Sequence, residues 1–252
     1  MSIIINGTTL GSSVSINGTS LGTIKFNGTT VFTSAPPYYN ELKNGTKLTE
    51  TQWLAFLDGG GIKYVISKGE QSTFRGKKIT ISNSVTSKYS TWIIADFNHD
   101  NTSNTCDVVQ ANTVYTTQFD TSTVYYSDSS VRTWLNDTYY NRFSTNIRNK
   151  LQPMSVFSDN YTLYDKVKLL SFTEVNGSAG STITIPGDYP VEGSQYPIFT
   201  DNNSRKRTGS NTFWWLRSRF DSGRVWRVYD DGSVNISITY VNYGVVPAIR
   251  FA

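Results

Sequence analysis

A chain of 252 residues can form one large domain, with or without a small accessory unit, and its many aromatic, Ser, Thr, Asn and Gly residues favour a folded, β-rich protein over a disordered one. Its one cysteine excludes an intrachain disulfide framework and a zinc site built from several cysteines. The formal net charge of +4 is modest, and the basic C-terminal stretch lacks a recognition helix or a lysine-rich arm, so no nucleic-acid partner is expected.

The N-terminal residues carry an internal repeat, in which an apolar residue, Asn-Gly and Thr recur at 5–8, 16–19 and 26–29. Each Asn-Gly supplies the two positive-φ positions of a tight hairpin turn, so the repeat predicts a small β-meander. Because so small a sheet has little core of its own, we interpret residues 1–34 as an attachment or oligomerisation module, the alternative being a decorative extension. The sequence also predicts no signal peptide and no membrane insertion, because it has neither a basic leader with an apolar core nor roughly 18 consecutive apolar residues.

The second predicted domain, residues 35–252, opens with a stiff Ala-Pro-Pro spacer. Thr49 and Gln52 form a capping-box pattern ahead of an apolar run, which predicts a short helix that ends at the glycines 59–61. Strand-like runs follow at 63–66, 78–81 and 91–95, and a polar loop is expected over 96–112.

Two further helices are predicted in the middle of the chain. Apolar residues at i, i+3 and i+4 place one over 130–136 and another over 143–151, which stops before Pro153. A strand is expected over 166–172. The weakly patterned stretch 173–210 is typical of a functional or structured loop region.

No reaction centre is found in the sequence. The sole histidine, His99, could bind a metal together with Asp96, but loops of this composition are more often simply solvated, and no second histidine completes a zinc or iron triad. The Gly-x-Ser-x-Gly pattern of a nucleophile elbow is absent. We therefore expect no catalytic residue, no metal and no cofactor. Carboxylates are frequent enough to supply a pair at glycosidase spacing, which keeps a cell-wall carbohydrate-active enzyme open as an alternative.

A regular frame with chemically mixed residues in its gaps distinguishes the C-terminal part of the chain, and such a pattern is typical of a binding face. Trp214 and Trp215 are expected in the core. A role in stacking on a sugar is less favoured, because neighbours on a strand point to opposite sides, although one of the two could reach the surface. Arg217 is expected to be a buried or half-buried hydrogen-bonding anchor. The scaffold residues are Trp134, Leu135, Trp214, Trp215, Leu216, Arg217, Trp226 and Pro247. The predicted ligand contacts are Arg219, Phe220, Asp221, Ser222, Arg224, Arg227, Tyr229, Asp230, Asn235, Ile236, Ser237, Ile238, Tyr240, Asn242 and Tyr243.

Five motifs in order carry a family resemblance: Ser-Val-Arg-x-Trp-Leu-Asn at 130–136, Lys-Leu-Leu-Ser at 168–171, Trp-Trp-Leu-Arg-Ser at 214–218, Asp-Gly at 231–232 and Gly-Val-Val-Pro-Ala-Ile at 244–249. Over about residues 40–252 this order resembles the C-type-lectin-like domain of phage tail proteins and gut-bacterial surface proteins. The family usually has an arginine where this chain has Val246, so no contact of that arginine is carried over. The resemblance implies an α+β fold with two main helices plus antiparallel strands, and a variable surface at about 214–246.

Many members of that family look like variable proteins of diversity-generating retroelements, in which a reverse transcriptase mutates adenines and turns Asn codons into many others. The residue types in the gaps can all arise in that way, whereas Trp226, a frame residue, cannot. The N-terminal Asn-Gly-Thr repeats also look like short β-repeats of tail-associated phage proteins.

The function implied by the resemblance is that of a ligand- or receptor-binding protein in a virion tail, or on a bacterial cell surface if the gene derives from a prophage. The expected partners are a host cell-surface protein or glycan, other virion tail proteins through the N-terminal module, and two further copies of the chain in a trimer. Tyrosines and Phe220 would supply rigid contact area, and arginines would supply forked donors. The alternative within the same setting is an invariant structural component.

Overall fold

The computed structural model of the chain describes residues 34–83, 90–158, 161–177, 192–206 and 213–252, and the backbone of six short strands between residues 3 and 33. This part is mixed α+β, as predicted, with sheets whose strands pair almost entirely antiparallel. Eight α-helices lie in these residues instead of the two main helices expected, and the longest has only nine residues. Helices so short are stable only when one face packs on other elements, so tertiary packing organises this domain.

The N-terminal strands form three antiparallel pairs. They are β1 (Ile3–Ile5) with β2 (Thr8–Leu10), β3 (Ser15–Ile16) with β4 (Thr19–Ser20), and β5 (Thr23–Phe26) with β6 (Thr29–Thr33). Ile5 pairs with Thr8, the register of a two-residue hairpin, and the other two pairs close in the same way; the Asn-Gly residues themselves lie outside the described residues. Each pair is a sheet of its own, so the predicted meander is corrected to three separate hairpins.

Four short helices follow the Ala-Pro-Pro spacer: α1 (Tyr39–Lys43), α2 (Glu50–Asp58), α3 (Gly61–Ser67) and α4 (Gln71–Phe74). The capping box of α2 is confirmed, because the Gln52 amide donates to the Thr49 hydroxyl and the Thr49 amide donates to the Gln52 side chain. The predicted strand over 63–66 is wrong, since these residues lie in α3. Ile62 and Val65 are three residues apart and are both buried, which is the spacing of a helix face.

The first sheet is antiparallel and has the strand order β11-β19-β9-β8-β7, with β14 also paired to β19. Its strands are β7 (Lys78–Ile81), β8 (Ser90–Phe97), β9 (Cys106–Gln110), β11 (Leu151–Gln152), β14 (Lys168–Leu169) and β19 (Pro247–Phe251). The strands predicted at 78–81 and 91–95 are confirmed. The polar loop predicted over 96–112 is wrong where β9 runs, because all five residues of this central strand are buried.

The second sheet has the order β10-β18-β15-β16-β17. Its strands are β10 (Tyr115–Thr117), β15 (Trp214–Arg219), β16 (Arg224–Val228), β17 (Val234–Ile238) and β18 (Tyr243–Val245). Only Val246 separates β18 from β19. The C-terminal chain therefore passes directly from the second sheet into the centre of the first.

The remaining elements connect these sheets. They are α5 (Ser130–Trp134), which continues as a π-turn (Leu135–Tyr139), α6 (Thr145–Arg148), the hairpin of β12 (Met154–Ser158) and β13 (Tyr161–Asp165), α7 (Phe172–Asn176) and α8 (Asn202–Arg205). The helix predicted over 130–136 is confirmed. The helix predicted over 143–151 is shortened to α6, because Leu151 pairs with Phe251 in the first sheet.

Two other predictions in this region are corrected. The strand expected over 166–172 is reduced to β14, since the Ser171 hydroxyl accepts from the Glu174 amide and caps α7. The loop expected over 173–210 contains α7 and α8, and its residues 178–191 and 207–210 lie outside the described part. No described helix has the length and apolar character needed to cross a bilayer.

The buried apolar residues form two clusters, one on each side of the second sheet. Trp215 belongs to the larger cluster, with the helices α1 to α6 and one face of the first sheet. Trp214 belongs to the smaller one, with Trp226 and with Phe172 of α7. Both neighbouring tryptophans are fully buried, so the expectation that one of them could reach the surface is wrong. Strand alternation sends them to opposite sides, and each side has its own core.

Candidate functional site

The scaffold predicted for the C-terminal strands is buried. Trp214, Trp215, Leu216, Trp226 and Pro247 are inaccessible to solvent or nearly so. Earlier in the chain, Leu135 is buried, and the half-buried Trp134 stacks on the ring of Tyr115 at a centroid distance of 5.0 Å. These residues fix the backbone from which the predicted contact residues project.

Arg217 is a buried anchor, as predicted. It is 1% exposed, and its Nη1 donates to Glu174 Oε2 at 2.6 Å and to the Leu169 carbonyl at 2.9 Å. Lys168 Nζ donates to Glu174 Oε1 at 2.6 Å. We call Lys168, Glu174 and Arg217 the buried ion cluster. It ties β15 to β14 and to the start of α7 by charge-assisted hydrogen bonds.

The buried ion cluster keeps its carboxylate charged. Burial acts to raise the pKa of Glu174, but Arg217 and Lys168 lower it more strongly and hold it well below its usual range. Burial acts to lower the pKa of Arg217, and Glu174 more than reverses that effect. The three side chains therefore belong to the framework and are not available to a ligand.

None of the predicted ligand contacts is buried. Six are exposed: Ser222, Arg224, Asp230, Ile238, Tyr240 and Asn242. The other nine are half-buried: Arg219, Phe220, Asp221, Arg227, Tyr229, Asn235, Ile236, Ser237 and Tyr243.

The structure divides these residues between two faces of the second sheet and its turns, so the single continuous surface that was expected is corrected. Cross-strand partners share a face, and neighbours along a strand do not. The first face carries Arg219, Arg227, Tyr229, Asn235, Ser237 and Tyr243, and the second face carries Phe220, Arg224, Ile236 and Ile238. Asp221, Ser222, Asp230, Tyr240 and Asn242 lie in the turns between strands.

Arg227 is surrounded by rings on the first face. Its guanidinium carbon lies 4.4 Å from the ring centroid of Tyr243, 4.5 Å from that of Tyr229 and 4.7 Å from that of Phe213. Nη2 donates to the Tyr229 hydroxyl at 3.0 Å, whereas Nε and Nη1 are buried with no hydrogen-bond partner among the described residues. We call Phe213, Arg227, Tyr229 and Tyr243 the arginine–aromatic cluster. Sequence reasoning missed Phe213, although it immediately precedes the Trp-Trp motif.

The arginines make contacts within the chain, and their expected role as forked donors to a ligand stays a prediction. Arg224 forms an ion pair with Asp221 and lies over the ring of Phe220 at 5.0 Å. Arg219 lies over the ring of Tyr125 at 4.8 Å. A long arginine side chain can lie along a neighbouring ring or carboxylate while part of it stays in solvent.

Exposed tyrosines surround the first face. Tyr240 is 58% exposed, and its carbonyl accepts from Gln118 Nε2 at 2.7 Å. Tyr115 and Tyr125 are also exposed; Tyr115 lies on β10, the edge strand of the same sheet, and Tyr125 contacts Arg219. Sequence reasoning missed these two tyrosines, because they come from segments far from the C-terminal motifs.

The loop that contains His99 is not the solvated loop expected from its composition. His99 is 3% exposed, and its ring stacks on Tyr196 at a centroid distance of 3.8 Å. Cys106, at the start of β9, is fully buried, and burial raises the pKa of its thiol. His99 and Cys106 are therefore both part of the packed interior.

Comparison with known proteins places most of the larger domain in one family. The family model described as a domain of unknown function, DUF6273, matches residues 87–251. No curated protein and no solved structure matches the chain. The matched segment contains β8 to β19, and with them the buried ion cluster and the arginine–aromatic cluster.

Proposed function

The chain belongs to the DUF6273 family, and from that premise we propose that it is a ligand-binding protein of a phage or prophage tail. Its contact surface is the first face of the second sheet, centred on the arginine–aromatic cluster and bordered by Tyr240. In this proposal residues 35–252 have a C-type-lectin-like fold, as their motif order suggests. The observed α+β architecture, with mainly antiparallel strands, supports the coarser part of that assignment.

One observation carries the proposal: frame and gap residues of the C-terminal strands differ sharply in burial. The frame residues Trp214, Trp215 and Trp226 are buried in two separate cores, while none of the predicted contact residues is buried. Surface substitutions usually change the free energy of unfolding by only about ±0.5 kcal/mol. A sheet held from both sides can therefore exchange its exposed side chains, as a diversified binding protein requires.

The chemistry of the first face suits a cell-surface protein or glycan. Tyrosine combines a rigid apolar ring with a hydroxyl at low conformational cost, and it is frequent in binding surfaces for that reason. We propose that the N-terminal hairpins attach the chain to other virion tail proteins and that three copies assemble together. Weak binding by one site would then be strengthened by many copies on one particle.

The first test measures cell binding. The fluorescently labelled chain is incubated with a panel of bacterial cells, and the double variant Tyr229→Ala, Tyr240→Ala is compared with Tyr164→Ala. Tyr164 is a matched control, because it is 73% exposed on the hairpin of β12 and β13. We expect binding to be lost in the double variant and kept in the control. Equal binding by all three proteins, or release of soluble sugars from cell walls by the purified chain, would contradict the proposal.

A second test concerns diversification. A neighbouring reverse-transcriptase gene and a near-copy of the 3′ end of this gene would support a retroelement target. Their absence from the locus would favour a binding face that does not vary, or an invariant structural component. Cell binding then distinguishes these two, because a structural component would bind no cells.

A further inference from the structure

We propose that the cavity beside His99 binds a divalent transition-metal cation through His99 Nε2 and the Asp100 carboxylate. The cavity has a volume of about 480 Å³ and is lined by the loop 98–101, Asp96 and the segment 193–194. It lies on the loop between β8 and β9, away from the arginine–aromatic cluster. The inference is therefore independent of the proposed function.

The first argument is the orientation of the His99 ring. His99 Nδ1 lies 3.0 Å from Asp96 Oδ2, and Asp96 also accepts from Arg75 Nε and from the Phe97 amide, each at 2.8 Å. Two N–H groups already donate to this carboxylate, so Asp96 is the acceptor in its contact with His99 Nδ1. In the neutral imidazole the proton then resides on Nδ1, and the lone pair is on Nε2.

The second argument is that Nε2 is buried with no hydrogen-bond partner in the described part of the chain. Buried acceptors are nearly always satisfied, so such an atom calls for a specific explanation. A carboxylate that orients one ring nitrogen while the other is free is the usual arrangement of a metal-binding histidine. Nε2 lies 3.6 Å from Asp100 Oδ1, close to the roughly 3–3.5 Å that separates two ligand atoms at bonds of about 2.0–2.2 Å.

The third argument is the balance of charge around the cavity. Asp96 pairs with Arg75, Asp107 with Arg250, and Glu174 with Lys168 and Arg217. In the ranges described, Asp100 has no Lys or Arg within ion-pair distance. Among the described residues, its Oδ1 accepts from the amide and hydroxyl of Ser194, at 3.2 and 2.9 Å. A bound cation would supply the positive charge that Asp100 lacks.

The donor set indicates the class of ion. Glu174 also offers a carboxylate oxygen within 4.8 Å of the other two groups, but Lys168 and Arg217 already hold both of its oxygens. The remaining donors are one imidazole nitrogen and one carboxylate, with the open cavity left for water. A mixed nitrogen and oxygen set suits Zn²⁺, Co²⁺ or Mn²⁺ better than Ca²⁺, which prefers oxygen ligands alone.

The test uses the fact that the chain has a single histidine. In the tag-free, chelator-treated and ¹⁵N-labelled chain, the imidazole signals of a long-range ¹H–¹⁵N spectrum come from His99 alone. We expect the metal-free ring to be the Nδ1–H tautomer and ZnCl₂ to shift the Nε2 resonance, with one ion bound per chain in a calorimetric titration. An Nε2 resonance that ZnCl₂ leaves unchanged would overturn the proposal.

Two variants and a control locate the ion. Asp100→Asn keeps an Oδ1 acceptor for Ser194 but loses the charge, and we expect it to abolish zinc binding without unfolding the chain. Asp96→Asn should weaken binding roughly 10–100-fold, the usual effect of removing the group that orients a ligand histidine. Asp137→Asn, an exposed carboxylate on the π-turn, should bind zinc like the wild type. Undiminished binding by Asp100→Asn would also overturn the proposal.

Discussion

Two arginines on adjacent strands of the second sheet are held by opposite kinds of partner. Arg217, on β15, is 1% exposed and donates to the Glu174 carboxylate within the buried ion cluster. Arg227, on β16, is half-buried and lies among three aromatic rings, and two of its nitrogens have no hydrogen-bond partner in the part of the chain that the structure describes. The charge of Arg217 is neutralised by a buried carboxylate, whereas the charge of Arg227 is covered by aromatic rings.

The difference shows which arginine belongs to the framework. Breaking a buried ion pair by removing one partner costs about 3–5 kcal/mol, because the remaining charge stays buried and unpaired. A cation over an aromatic ring contributes about 0.5–2 kcal/mol. Arg217 is therefore a framework residue, whereas Arg227 keeps the aromatic side chains of the first face in one arrangement. The sequence predicted the buried anchor, but it did not reveal the rings around Arg227.

The largest loss of stability is expected when Arg217 is replaced, and the matched change at Arg227 tests the comparison. Replacing Arg217 with Met removes the main partner of Glu174, so we expect the free energy of unfolding to fall by about 3–5 kcal/mol. The matched variant Arg227→Met should lose about 1–2 kcal/mol. Urea denaturation of the two variants measures both values. Equal losses would mean that Arg227 is as much a framework residue as Arg217.

The second prediction concerns pH. The pKa of Glu174 is held below its usual range, so its contribution to stability is fully present above the ordinary glutamate pKa of about 4.3 and is lost as pH falls towards the folded-state pKa. We expect the free energy of unfolding to drop steeply below about pH 4.3. Urea titrations across that range measure the drop.

The control for this prediction is the exposed ion pair of Asp221 and Arg224. Asp221 also has a lowered pKa, caused first by its hydrogen bond to Arg224. Exposed pairs contribute little to stability, so Asp221→Asn should leave the acid profile as it is. The prediction is wrong if Asp221→Asn removes the acid-dependent loss of stability and Glu174→Gln does not.

Local patterns predicted the frame well, because each of its signals lies within a few residues. The capping box of α2 and the helix at 130–136 depend on neighbours along the chain, and both are confirmed. The central strand β9 was missed because its polar Asp107 is satisfied by Arg250 and Tyr196, which lie far away in the sequence. Residues 63–66 have strand propensity, yet packing of Ile62 and Val65 on the core decides for a helix.

The candidate surface was predicted only in part, for the same physical reason. The gap pattern identified side chains that leave the core, but it did not reveal that strand alternation sends them to two faces. Nor did it reveal that Arg219 would lie on Tyr125, or that Arg224 would pair with Asp221. Contacts between side chains of different loops are set by the fold and leave no local pattern.

The third prediction sharpens the role of Arg227. The variant Arg227→Lys keeps the positive charge but replaces a planar group that stacks on three rings with a compact ammonium. We expect stability to fall by no more than about 1 kcal/mol and cell binding to weaken about tenfold or more, because the rings of Tyr229 and Tyr243 lose their common support. Binding equal to that of the wild type would show that the cluster does not organise the contact surface.

The smallest effect on stability is expected at the edge of the same face. Tyr240 makes no aromatic contact among the described residues and is held through its carbonyl, so Tyr240→Ala should change the free energy of unfolding by no more than about 0.5 kcal/mol. Tyr229 differs, since its ring packs on Phe213 and Arg227, and Tyr229→Ala should cost about 1 kcal/mol. Both variants should lose cell binding. Because stability and binding change together at Tyr229 but separately at Tyr240, loss of binding in Tyr240→Ala with an unchanged melting temperature is the cleaner evidence that this face contacts the ligand.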